Sequence, residues 1–100
     1  MAMSAQYLDD RLVDLTTQRE QMENEVKVEG LTRDQKKKKL VMLARIGNAI
    51  TRIHKETYGI CVERECREEI PSDRLVKTPY AERCLACQSA LEEKTRRAHA

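Results

Sequence analysis

Apolar side chains at Leu8, Leu12, Leu15, Met22 and Val26 recur at steps of 4, 3, 7 and 4, and Arg19 fills the step that the seven-residue interval skips. This is the heptad seam of a helix packed along one stripe. The stripe resumes at Leu43, Ile46, Ile50 and Ile53, preceded by Thr32 and Gln35 at the spacing of a capping box. Gly30 is expected to end the first helix and Thr32 to start the second. So short a connection forces the two long helices to lie antiparallel. With a turn near Gly30 and Leu31, facing residues have numbers summing to about 61. Leu8 then meets Ile53, Leu12 meets Ile50, Leu15 meets Ile46, and Met22 meets Lys39 or Leu40. Val26 falls opposite Lys36, which predicts a seam that weakens toward the tip.

The second helix is apolar over a wider arc than one seam requires, because Leu40, Val41, Met42, Ala44 and Ala49 add to it. Long Lys and Arg stems can cover part of that arc, or a partner can. Thr57-Tyr58-Gly59 is expected to stop the helix, with Gly59 in a left-handed position. From Cys61 to Pro79 the periodicity disappears, and Ile70-Pro71-Ser72-Asp73-Arg74-Leu75 reads as a tight turn between two short extended pieces. Beyond Pro79, Ala81 to about Ala98 returns to helix formers, with Glu92 and Glu93 placed to meet Arg96 and Arg97.

Composition changes this picture in one respect. The 100 residues include no Phe, no Trp and three Tyr, so a core of this size lacks the large side chains that usually fill one and needs a staple. Charged residues at 36% and a mean hydropathy of −0.71 exclude a membrane span, and the length excludes a large enzyme fold. Met1 to Asp10 lacks the basic start and apolar run of a secretory signal, which predicts a cytoplasmic protein.

In a reducing compartment the four cysteines read as a metal site before they read as disulfides. Their spacing is Cys61-x4-Cys66-x17-Cys84-x2-Cys87, two short pairs that one fold-back brings together. Zinc takes four such thiolates in a tetrahedron at about 2.3 Å and leaves no open position, so one structural Zn2+ is expected and no catalytic one. A redox dithiol at Cys84 and Cys87 lacks the strand-then-helix context it needs, and iron or disulfides remain as lesser alternatives. A helix beginning near Cys84 and Cys87 would let its early amides stabilise thiolate charge. His54 and His99 are surplus to a completed tetrahedron and read as surface residues, while Tyr58 and Tyr80 read as filling the finger core.

Tyr58-Gly59-Ile60-Cys61, Cys66 with Ile70-Pro71, Arg74-Leu75, Pro79-Tyr80-Ala81 and Cys84-x2-Cys87 together resemble the zinc finger of the DksA/TraR family, which also carries a helical hairpin ahead of it. The resemblance implies a bacterial regulator that binds RNA polymerase, inserts the hairpin into the secondary channel, and alters initiation without reading DNA. Two departures stand out. The family's first pair is usually C-x2-C followed by Gly, whereas here two extra residues separate Cys61 from Cys66 and Arg67 takes the glycine's place. The best-known members also place two aspartates and an alanine at the tip, and no such motif occurs between Val28 and Lys39. Glu29 and Asp34 are the only acids flanking the turn and are the candidate partner contacts there, although Asp34 equally suits the start of a helix.

The expected architecture is therefore mainly α: an antiparallel coiled-coil hairpin over residues 1–56, then, over 57–100, a four-cysteine zinc finger with a short β-hairpin and a C-terminal helix. No enzymatic activity is expected. Net charge is +2, distributed as −4 over residues 1–30 (three bases, seven acids), +7 over 31–55 (eight bases, one acid) and −1 over 56–100 (eight bases, nine acids). The run Lys36-Lys37-Lys38-Lys39 admits a second reading as a nucleic-acid-binding zinc module. Pairing with Glu20, Glu23 and Glu25 across the hairpin would instead make it a solvated face. A third reading is a protein-interaction scaffold using the apolar flank of the second helix.

Overall fold

The computed structural model describes residues 3–98; His99 lies outside them. Helix α1 (Ala5–Val26) starts where the Ser4 hydroxyl accepts the Tyr7 N–H at 3.1 Å. Helix α2 (Arg33–His54) starts at Thr32 with the expected capping box: Thr32 Oγ1 accepts the Gln35 N–H at 3.1 Å and Gln35 Oε1 accepts the Thr32 N–H at 3.0 Å. Each helix has 22 residues, a rod of about 33 Å. Between them α1 ends four residues before Gly30, and Gly30 takes φ +88° within the tip turn.

The two helices pack as the register requires. Leu15, Ile46, Ala49 and Ile50 are buried, and Leu8, Leu12, Met42 and Ile53 pack against them. No residue of either helix closer to the tip is buried, so the seam fades as the sequence pattern predicts. The skipped heptad step is filled differently from expectation. Arg19 is exposed and pairs with Glu23 on its own helix at 3.8 Å, and Gln18 turns inward instead, its Oε1 buried without a hydrogen-bond partner.

Helix α2 stops at His54, earlier than Thr57-Tyr58-Gly59 suggested. Glu56 takes the left-handed position, φ +61°, and the Glu56 and Thr57 N–H groups donate to the Ile53 and Arg52 carbonyls at 3.2 and 2.9 Å. This is a Schellman closure made by a residue with a Cβ. Gly59 does take the expected left-handed backbone, φ +83°, but three residues beyond the position that closes the helix.

The expected β-hairpin does not form. Ile60 and Glu69 make a single antiparallel bridge, flanked by Cys61 N–H to Glu68 O and Ile70 N–H to Gly59 O, both 2.8 Å. The segment read as a tight turn with an extended continuation is instead a short helix, α3 (Ser72–Lys77). Pro71, with its φ fixed at −55°, leads into it, Asp73 suits its first turn, and one helical turn delivers Leu75 fully buried into the core. Helix α4 (Leu85–Ala98) begins four residues after Ala81 and buries nothing. Glu93 pairs with Arg97 at 3.0 Å as expected, whereas Glu92 accepts from Gln88.

One core joins the hairpin base to the finger. Tyr58, Ile70, Leu75 and Ala81 continue the cluster begun by Leu15 and Ile46, with Met3, Tyr7 and Tyr80 packed against it. Tyr7 Oη donates to the Ser72 carbonyl at 2.8 Å, tying α1 to α3, and Tyr58 Oη donates to the Pro79 carbonyl at 2.7 Å. Burial pushes the Tyr58 phenol well above its ordinary range, so it remains a donor. Among the described residues no helix is long and apolar enough to cross a membrane.

Candidate metal centre

Cys61 and Cys66 sit on the first knuckle, before and after a tight turn in which the Cys66 and Arg67 N–H groups both donate to the Glu63 carbonyl at 3.0 and 3.2 Å. Arg67 holds φ +53°, so the place that suits a glycine in the resembling family still demands a left-handed backbone here. The two extra residues lengthen the loop between the cysteines, and the chain leaves Cys66 through this left-handed residue. Cys84 and Cys87 sit on the second knuckle. Cys84 immediately precedes α4, its carbonyl accepts the Gln88 N–H at 2.9 Å, and its sulfur accepts the Cys87 backbone N–H as a cap would.

The four Sγ atoms lie within 4.8 Å of one another, from Cys61, which is buried, and from Cys66, Cys84 and Cys87, which are half-buried. Cys66 and Cys84 Sγ are 3.8 Å apart. A tetrahedron of sulfurs at about 2.3 Å from zinc has edges of about 3.8 Å, so the donor set fits that ion and is too open for an S–S bond. The four cysteines are thus positioned to bind one metal ion, and four soft donors select zinc over harder cations.

The electrostatics divide the two knuckles. The Cys87 backbone N–H and side chain hold the Cys84 thiol down at about 7, so Cys84 is the sulfur most ready to lose its proton. The Cys84 sulfur, together with desolvation, in turn pushes the Cys87 thiol far upward. At Cys66 the Glu68 backbone N–H lowers the thiol, but desolvation and the Cys84 and Cys61 sulfurs outweigh it and the net direction is up. His54 is exposed at the end of α2 and takes no part in the cluster.

A chain of charges that sequence reasoning missed links this centre to the hairpin. Arg52 Nη1 on α2 lies 3.4 Å from Glu82 Oε2, Glu82 Oε1 lies 2.7 Å from Arg83 Nη1, and Arg83 Nε lies 2.8 Å from Glu63 Oε1. The Glu82 carbonyl also accepts the Val62 N–H at 2.9 Å, joining the two knuckles through the backbone. Arg52 is largely buried, and desolvation lowers its guanidinium against the opposing pull of Glu82. No local pattern announces pairs 20 and 30 residues apart.

At the other end, Glu29 and Asp34 are exposed on either side of the tip turn. Of the expected cross-hairpin ion pairs, Lys39 with Glu25 forms at 3.1 Å, while Glu23 turns to Arg19. Leu40 and Val41 are 48% and 47% exposed, so the wider apolar arc of α2 is partly uncovered.

Fold and site together define a structural zinc finger mounted at the base of an antiparallel helical hairpin. Residues 56–93 match the prokaryotic dksA/traR C4-type zinc finger. Over 93% of its length the chain is similar to 95% of the RNA polymerase binding protein and transcriptional regulator Dks of Chlamydia trachomatis, with a TM-score of 0.73 and 25% identity. The fold is shared with transcription factor DksA2 of Pseudomonas aeruginosa, at a TM-score of 0.67 and 20% identity over 93% and 88% of the two chains. An uncharacterised protein of Aquifex aeolicus is 38% identical over 56 residues, 56% of this chain but only 37% of that protein. Residues 56–93 thus resemble a DksA/TraR C4-type zinc finger, and the hairpin that carries them shares the fold of the Dks structures.

Proposed function

We propose that the protein is a non-enzymatic bacterial transcription regulator that binds RNA polymerase, entering the secondary channel with its hairpin and acting without reading DNA sequence. The observation that carries this is the conjunction of finger and hairpin over 93% of the chain with a structure described as an RNA polymerase binding protein. A closed four-thiolate site has no open coordination position, which suits a mount and not a catalyst. The shared core and the Arg52–Glu82 pair set the hairpin's direction relative to the finger, so a metal that stiffens the finger also stiffens the aim of the rod. On this reading the contacts at the tip come from Glu29 and Asp34, a role supported by their exposure on either side of the turn. The cytoplasm is the compartment this activity requires.

The test is competition on purified bacterial RNA polymerase. The full-length zinc-loaded protein is expected to bind and to be displaced by another secondary-channel binder. Simultaneous binding of both would refute the channel placement, and absence of binding would refute the partner.

A further inference from the structure

Cations crowd the start of α2, where Arg33, Lys36, Lys37, Lys38 and Lys39 fall within seven residues. The first turns of a helix expose unpaired amides and partial positive charge, so cations there work against helix stability. Arg33 also repels Lys36 and Lys37 at i,i+3 and i,i+4. Among the described residues only Lys39 of this group has an acidic partner. Folding therefore gives no reason for the cluster. Just beyond it, Lys37, Lys38, Val41, Met42 and Arg45 line one shallow concavity with Asp34, at the 3 and 4 residue steps of a second seam on α2. Val41 and the adjacent Leu40 are about half exposed.

We propose that this outward face of α2, from Lys37 to Arg45, docks an acidic amphipathic helix of a partner protein. The partner's apolar stripe covers Val41 and the edge of Met42 that the hairpin core leaves open, and its flanking carboxylates meet Lys37, Lys38 and Arg45, as charged flanks do beside a helical seam. Nucleic acid fits this face less well. Phosphates offer nothing apolar to cover Leu40 and Val41, and the three tyrosines that could stack on bases all lie at or near the finger end, in or against the shared core. The inference rests on the reading that the hairpin faces RNA polymerase, and it names which side of the rod makes contact and with what chemistry.

The test measures binding of the full-length zinc-loaded protein to RNA polymerase core enzyme by fluorescence anisotropy at two ionic strengths. Lys37→Glu/Lys38→Glu is expected to weaken binding about tenfold or more at low salt and to reduce the salt dependence. Val41→Ser is expected to weaken it several-fold with the salt dependence unchanged. All three side chains are exposed, and unchanged helicity and zinc stoichiometry verify the fold of each variant. Full-strength binding by the charge-reversed variant overturns the docking face and leaves the polymerase reading standing. No binding by the wild-type protein overturns that reading and this one with it. If a single-stranded RNA or a DNA duplex binds the wild type as tightly as polymerase does, and the same substitutions abolish it, the assignment to a protein surface is wrong.

Discussion

Removing the Glu82 carboxylate should cost more than removing the arginine it faces. Arg52 is 12% exposed and Glu82 26%, and Arg52 Nη2 is already buried without a partner. In Glu82→Ala the guanidinium keeps its burial and loses its counter-charge. Breaking a fully buried pair this way costs about 3–5 kcal/mol; partial water access here lowers the expectation to about 2 kcal/mol. In Arg52→Met the carboxylate keeps Arg83 at 2.7 Å and a buried cation is replaced by an apolar chain of similar length, so the cost should be under about 1 kcal/mol. The informative variant is the double one. Adding Arg52→Met to Glu82→Ala removes the stranded charge and should restore stability, not lower it further. Urea unfolding of the zinc-loaded proteins followed by circular dichroism measures all four corners, and Glu82→Ala should melt about 10 °C lower than wild type. A double variant as unstable as the sum of the singles would refute the reasoning, because no stranded charge would then exist to be relieved.

Glu56→Gly should raise stability by about 0.5–1 kcal/mol in the same assay, since the left-handed position costs a Cβ-bearing residue about 1–2 kcal/mol and glycine returns part of that gain as chain entropy. Gln18→Leu should add about 1 kcal/mol by removing a buried acceptor that has no donor; an unchanged denaturation midpoint would mean that water reaches it. Cys66→Ser should abolish stoichiometric zinc binding in a chelator titration and lower helicity. Zinc affinity should fall with pH across the whole range from 8 to 5, because the Cys66 and Cys87 thiols are raised and must give up protons on binding, and should fall more steeply below about 7. Cys84, held down at about 7, contributes its thiolate above that pH and takes up a proton as pH falls through it, and Cys87 holds its proton more tightly still. A chelator titration from pH 8 to 5 with a flat profile would contradict this.

The hairpin was legible because its information is periodic. Apolar steps of three and four, a capping box at Thr32 and Gln35, and a glycine at the turn all act within a few residues. The cysteine pairs were legible for the same reason, since ligand chemistry constrains short spacings. Misreadings arose where tertiary contacts overrode local preference. Glu56 closes α2 although it has a Cβ, and Ser72–Lys77 winds into a helix because that turn buries Leu75. The inward residue of the skipped heptad step is Gln18, one position from the arginine that the strict repeat selects. The Arg52–Glu82–Arg83–Glu63 chain had no sequence signature, because it exists only once α2 and both knuckles have met.

Helix α4 has fourteen residues and buries none of them. A free peptide of that length would be mostly unwound in water, so its order must be lent from its first turn, where Cys84 and Cys87 anchor it. It therefore acts as a gauge of the thiol cluster. Chelation should fray it from the anchored end outward and loosen Leu85 and Leu91, giving proteases a cleavage zone that appears with metal loss and vanishes on reconstitution.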